Sequence, residues 1–212
     1  MSEDKPMGFQ AASGVVLSRR ILGEGDLFLT LFLKGMGITP VSARGAATGK
    51  VRFGGGTEPL VWGVFTLYQG KGGEGRKYLK SVDVADDMLK LRASARALFA
   101  VVRWAKLLTR HLMEGHPSDD LLANFYWNMK LLNDGELSVE AAEWRFLWRW
   151  LKSWGLAPEL AEYIDCTPLE LELLRKVAAV KTPELNRTWA ADAHRRLFAN
   201  AARRIEVFLK EV

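Results

Sequence analysis

The sequence predicts an α+β protein in two parts, a small five-stranded β-barrel followed by an α-helical domain. Three observations predict it. Up to about residue 83 glycine is dense and short apolar runs alternate with turn signals. Beyond that point glycine thins and apolar residues recur at three- and four-residue spacing. The charge changes at the same place. Residues 1–82 hold 11 Lys/Arg against 6 Asp/Glu, a surplus of +5, whereas residues 83–212 hold 19 of each. With 212 residues and 49% apolar content the chain can build one large core or two small ones. We expect a flexible N-terminus over 1–12, a barrel over 13–83 and a helical domain over 84–212, the boundary falling within Val82–Leu91.

The first strand is expected over Val15–Leu22, linked by Gly23-Glu24-Gly25-Asp26 as a hairpin turn to Leu27–Leu33. Gly35 and Gly37 precede the third strand, Ile38–Arg44. A glycine-rich loop from Gly45 to Gly56 leads to the fourth, Pro59–Tyr68, and the loop Gly70–Gly75 to the fifth, Lys77–Val84. Five short strands in about 70 residues match a closed Greek-key barrel of the OB type, with an SH3-like barrel as the structural competitor. Closure also removes exposed sheet edges.

Helical periodicity begins with Leu91–Met113, where Leu98, Val101, Val102, Ala105 and Leu108 form one stripe, ended by Gly115 and Pro117. Ser118 can cap a helix through about Leu132, stopped by Asn133-Asp134-Gly135. Ser138 starts another that ends at Gly155. Thr167-Pro168-Leu169-Glu170 is a capping box with proline at the first helical position, and Thr182-Pro183 opens a last helical segment to about Lys210.

Most candidate chemistry fails on its context. No run of about 18 uncharged apolar residues offers a membrane span. Met1–Gln10 carries Glu3, Asp4 and Lys5 and lacks the apolar stretch of a signal peptide, so a cytoplasmic protein is expected. Gly70-Lys71-Gly72-Gly73-Glu74-Gly75 spells the dinucleotide fingerprint, but a strand follows it where a helix N-terminus must bind pyrophosphate. Gly45-Ala46-Ala47-Thr48-Gly49-Lys50 is one residue short of a P-loop, and Val51 offers no hydroxyl to Mg²⁺. His111, His116 and His194 lack metal-ligand spacing, and Cys166 is the only cysteine. Glu24 and Asp26 fit a hairpin turn better than an acid/base pair. No catalytic constellation survives, and no cofactor is expected.

Binding chemistry remains. From Leu27 to Thr57 no carboxylate occurs, yet Lys34, Arg44, Lys50 and Arg52 lie there. A one-signed segment suits a polyanion, although a basic surface kept for solubility gives the same composition. Arg44, Lys50, Arg52, Lys71, Arg76, Lys77 and Lys80 bracket the third to fifth strands, with Phe53, Trp62, Phe65, Tyr68 and Tyr78 among them. Single-stranded nucleic acid is held by phosphate neutralisation and base stacking, which these residues supply. At least two of Trp62, Phe65 and Tyr68 are expected in the core; Phe53 and Tyr78 are the stacking candidates. In the helix from Ser138, Trp144, Trp148, Trp150 and Trp154 fall within eleven residues, and Arg145, Arg149 and Lys152 repeat at four and three. Trp150 and Trp154 read as core, whereas Trp144 and Trp148 beside the basic stripe have the composition of an interface anchor. An aromatic core with a solvated charged face is the competing account.

Read in order, Gly14-Val15-Val16-Leu17-Ser18-Arg19-Arg20, Gly23-Glu24-Gly25-Asp26, Gly37-Ile38, Ala43-Arg44-Gly45-Ala46, Arg52-Phe53 and Glu58-Pro59-Leu60 resemble the bacterial recombination mediator family RecO over roughly residues 13–83. The resemblance implies an OB-fold, a helical C-terminal domain, binding of single- and double-stranded DNA, annealing of complementary strands and no catalysis. It implies as partners RecR and the acidic C-terminal tail of single-stranded-DNA-binding protein, in a pathway that loads the recombinase RecA onto gapped DNA at the nucleoid. The basic residues of the barrel carry over as the DNA face. Trp144, Arg145, Trp148, Arg149 and Lys152 are the expected site for the acidic tail. Many members carry a four-cysteine zinc module; here Cys166 stands where its first ligand falls, and the chain passes straight into Thr167-Pro168, so no zinc is expected. Two other classes stay open: a barrel scaffold that binds a protein partner without nucleic acid, and an enzyme with a small-molecule site.

Overall fold

A computed structural model describes residues 8–23, 25–47, 52–69, 76–157, 159–160, 164–179 and 194–211. The expected Gly70–Gly75 hairpin loop and the Thr182-Pro183 helix start lie outside them. The strands are β1 (Gly8–Leu22), β2 (Asp26–Leu33), β3 (Gly37–Ala43), β4 (Trp62–Gln69) and β5 (Lys77–Asp86), with a 3-10 turn at Gly54–Thr57. The helices are α1 (Leu89–Ala93), α2 (Ala95–His111), α3 (Asp119–Asp134), α4 (Val139–Ser153), α5 (Pro168–Ala179) and α6 (Arg195–Glu211). Two compact units result: the barrel with residues 102–122, and residues 89–101 with those from 123 onward.

The strands close into a barrel in the order β1-β2-β3-β5-β4, the OB arrangement. Leu27, Leu29, Leu31 and Leu33 alternate into its core with Val41, Ala43, Phe65, Leu67 and Leu79, the period-2 pattern that fixes strand register. Closure is parallel and short, with Val41 opposite Lys77 and Ser42 opposite Tyr78.

β1 departs from expectation. It starts at Gly8, so residues 8–12 are strand and not flexible tail. Gly8–Val15 pair with β4 and Gly14–Leu22 with β2, so one long strand serves two neighbours. The handover falls at Gly14, where a Cβ would overlap the Phe32 carbonyl. β4 begins at Trp62, not Pro59, because Glu58–Val61 forms a turn closed by the Val61 amide donating to the Glu58 carbonyl at 3.2 Å. The helix expected over Leu91–Met113 is two helices. The chain breaks at Ser94, whose hydroxyl accepts from the Ala97 amide at 3.3 Å and caps α2.

The loop before α3 is tied to the β2–β3 turn. Asp119 Oδ1 accepts from the Gly35 amide at 2.7 Å, and the Gly115 amide donates to the Ile38 carbonyl at 2.9 Å. Gly37 lies beneath this loop at φ 66°, where a Cβ would strike the His116 carbonyl; Gly35, at φ 69°, faces open space. Gly35→Ala is therefore expected to cost about 1–2 kcal/mol from the left-handed backbone alone. Gly37→Ala adds a backbone collision and should cost at least about 3 kcal/mol. Urea unfolding midpoints of the two variants check this order.

Candidate nucleic-acid interface

Successive cross-strand pairs form one row around the barrel: Arg20 opposite Phe28, Phe28 opposite Ser42, Ser42 opposite Tyr78, Tyr78 opposite Tyr68, and Tyr68 opposite Phe9. Leu27, Leu29, Val41, Ala43, Leu67 and Leu79, which flank Phe28, Ser42, Tyr68 and Tyr78, fill the core, so the row faces away from the barrel interior, with Arg20 and Phe9 exposed, Phe28, Tyr68 and Tyr78 half-buried and Ser42 buried. Four of its six positions are aromatic. The Arg20 guanidinium lies 4.4 Å from the centre of the Phe28 ring and that of Arg44 4.4 Å from the centre of Tyr78. Phe9 and Tyr68 meet at 5.6 Å, and Phe9 is 66% exposed. Guanidinium-topped rings beside open rings offer phosphate and base contacts on one surface.

The turn after β3 holds Arg44 in place. Asp26 Oδ1 accepts from the Gly45 amide at 2.8 Å, and Arg52 Nη1 donates to the Arg44 carbonyl at 2.8 Å. Arg44, Arg52, Arg76 and Lys80 are exposed, and Lys80 shares the outward side of β5 with Tyr78. Three expectations change. Lys77 is half-buried and alternates with Tyr78, so it does not share that face. Phe53 is half-buried and packs against the barrel core with Arg52 over its ring at 5.1 Å, away from the cross-strand row. Only Phe65 of the trio Trp62, Phe65 and Tyr68 is fully buried; Tyr68 is half-buried and belongs to the row. Lys50 and Lys71 lie outside the described residues. Phe9 was hidden from sequence reading by the late start assigned to β1. The available signal was its alternation with Ala11 and Ser13, which pair with Thr66 and Val64.

α4 sorts the tryptophan and arginine residues differently from their spacing. Trp144 and Arg145 are fully buried and cannot present a surface to a partner. The Trp144 indole donates to the Leu174 carbonyl at 3.0 Å, and Arg145 Nη1 to Asn128 Oδ1 at 3.1 Å. Burial, then the Arg149 charge, push the Arg145 guanidinium down to about 9, so it still carries its proton at neutral pH. Trp154, expected in the core, is 37% exposed. Trp148 is half-buried and stacks on Trp144 at 5.2 Å. Arg149 Nε donates to the Ala178 carbonyl at 2.7 Å and Nη2 to Ala179 at 3.3 Å, closing the C-terminus of α5. Trp148, Arg149, Lys152, Leu160 and Arg175 line a cleft of about 340 Å³, together with Glu159, which pairs with Arg175 at 3.0 Å.

A family model described as "Recombination protein O N terminal" matches residues 7–88. The chain is 26% identical over 160 residues to DNA repair protein RecO of Acetivibrio thermocellus, covering 76% of this chain and 62% of that protein. It is 28% identical over 159 residues to DNA repair protein RecO of Exiguobacterium sibiricum, covering 75% of this chain and 62% of that protein. Residues 7–88 thus match the N-terminal domain of RecO proteins, and about three quarters of the chain is similar to them in sequence. RecO of Heliobacterium modesticaldum, 27% identical over 168 residues, is matched over 59% of its length and 78% of this chain. The chain thus spans about three fifths of the length of these RecO relatives. A four-thiolate zinc module does not fit it, because Cys166 is the only cysteine. Burial and the Glu170 and Asp165 carboxylates also push that thiol's pKa up, away from the thiolate a metal needs. No helix among the described residues is long and apolar enough to cross a membrane.

Removing a buried indole leaves a large cavity, so Trp144→Ala is expected to lower unfolding free energy by about 3–5 kcal/mol. Lys152→Ala, at an exposed position on the same helix, should stay within about 0.5 kcal/mol. Denaturant unfolding followed by tryptophan fluorescence separates them.

Proposed function

We propose that the protein is a non-enzymatic mediator of DNA repair and recombination that binds single- and double-stranded DNA through its barrel. The observation that carries this reading is the outward row Arg20–Phe28–Ser42–Tyr78–Tyr68–Phe9 with Arg44 over Tyr78. Bases stack on the rings while Arg44, Arg52, Arg76 and Lys80 neutralise phosphates. Holding strands by backbone and ring faces is sequence-tolerant, which suits annealing of complementary strands and delivery of recombinase to gapped DNA. RecR and the acidic tail of single-stranded-DNA-binding protein are the proposed protein partners, in the cytoplasm at the nucleoid. The cleft beside Trp148, Lys152 and Arg175 suits a short acidic peptide with an aromatic end. Arg149 serves there chiefly by holding α5, since its donors already meet the Ala178 and Ala179 carbonyls.

Anisotropy titration with a labelled single strand at several salt concentrations tests the barrel. Arg44→Glu with Arg52→Glu should flatten the log–log salt slope by about 1.4, at roughly 0.7 per lost phosphate contact. Tyr78→Ala should weaken binding about tenfold with the slope kept, given about 1–3 kcal/mol per stacked base. An absent or salt-independent interaction would reject the reading. In the cleft, Lys152→Glu should weaken an acidic, aromatic-ended peptide severalfold and leave DNA affinity unchanged; equal peptide affinity removes that assignment.

A further inference from the structure

The one-signed stretch richest in cations lies outside the barrel. Leu89–Met113 contains Lys90, Arg92, Arg96, Arg103, Lys106 and Arg110 and no Asp or Glu. Within α2, Arg96, Phe99, Arg103, Lys106 and Arg110 recur at spacings of three, four, three and four, which puts them on one side of the helix. The side chain of Arg96 is 59% exposed, Phe99 is 72% exposed, Lys106 and Arg110 are exposed, and Arg103 is half-buried. Ala97, Val101, Trp104, Ala105 and Leu108 on the other side are buried. At 1.5 Å per residue the stripe runs about 21 Å. Every residue stands on one continuous helix, so the spacing is internal to it.

A helix face kept only for solubility mixes signs, because opposite charges three or four apart attract and like charges repel. Here Arg103, Lys106 and Arg110 face like neighbours with no carboxylate on the helix. Glu140 meets Arg96 from α4 at the stripe's N-terminal end. Phe99 stands exposed between two of these cations, a ring where a purely electrostatic surface needs none. An amphipathic membrane helix is excluded, since it lays an apolar face on the lipid and the apolar face of α2 is buried.

We propose that the outer face of α2 is a second track for single-stranded nucleic acid. Arg103, Lys106 and Arg110 hold phosphates and Phe99 stacks a base. The barrel row and α2 then take one strand each, which gives an annealing protein the means to hold two strands at once. The proposal rests on the reading of the chain as a nucleic-acid binder.

The test uses the full chain and two differently labelled, non-complementary single strands. Wild type is expected to hold both, seen as energy transfer between the labels. Lys106→Glu with Arg110→Glu should reduce capture of the second strand more than tenfold and flatten the overall salt slope by about 1.4, with the first strand still bound. Phe99→Ala should weaken second-strand capture without changing the slope. Lys106→Gln with Arg110→Gln, which avoids new charges on the helix, should give a smaller loss in the same direction. Unchanged second-strand capture and slope in both double variants, with wild type still binding one strand, overturns the second track alone. Failure of wild type to bind any strand overturns the proposed function as well. Binding of polyglutamate in place of oligonucleotide would assign the stripe to an acidic protein and overturn the nucleic-acid track.

Discussion

Two residue pairs close the barrel, Val41 with Lys77 and Ser42 with Tyr78, and the surface described above depends on them. Without that parallel contact β3 and β5 would be open edges, exposed to pairing with other chains. The same contact sets Tyr78 beside the end of β3, so the next outward residue, Arg44, reaches its ring. The turn that follows is fixed from both sides, by Asp26 on the Gly45 amide and by Arg52 on the Arg44 carbonyl. A short closure therefore determines where a cation and a ring meet, and these polar contacts keep them there. Proteins that bind by stacking gain from such preorganisation because less side-chain freedom is lost on contact.

The architecture was legible wherever one periodicity dominated. Leu27, Leu29, Leu31 and Leu33 read as an inward strand face because only one side of β2 enters the core. Thr167 and Glu170 read as a capping box, and Glu170 Oε2 does accept from the Thr167 amide at 2.8 Å. Legibility failed where a segment serves two environments. β1 pairs with β4 before Gly14 and with β2 after it, and its first half carries small or polar residues that read as tail. α4 is the helical counterpart. Residues 140–147 are all buried, so no apolar stripe distinguishes a surface from a core, and spacing alone placed Trp144 and Arg145 outside. The row across the barrel was invisible for another reason: its members lie on every strand, and only register joins them.

Arginine illustrates how little residue type says about role. Arg145 is inside, anchored to Asn128, which itself donates to the Asn124 carbonyl at 2.7 Å. A buried cation of this kind is costly to desolvate, and each hydrogen bond it makes offsets part of that cost. Arg149 closes a helix end, where the carbonyls carry partial negative charge. Arg44 lies over a ring at the surface. All three look alike in a composition table, yet only the last has its charge available to a polyanion.

Net charge misleads in the same way. The balance of residues 83–212 is zero, which read alone assigns all polyanion chemistry to the barrel. A sum over a domain averages away the variable that matters, the sign of charge within a Debye length of a given surface point, about 8–10 Å in physiological salt. Over that distance a helix shows its own face and few others. α2 carries cations and no carboxylate of its own, while Glu140 of α4 meets Arg96 at one end of it. Segregation of sign at the scale of one element, not surplus at the scale of a domain, is the property that a phosphate chain detects.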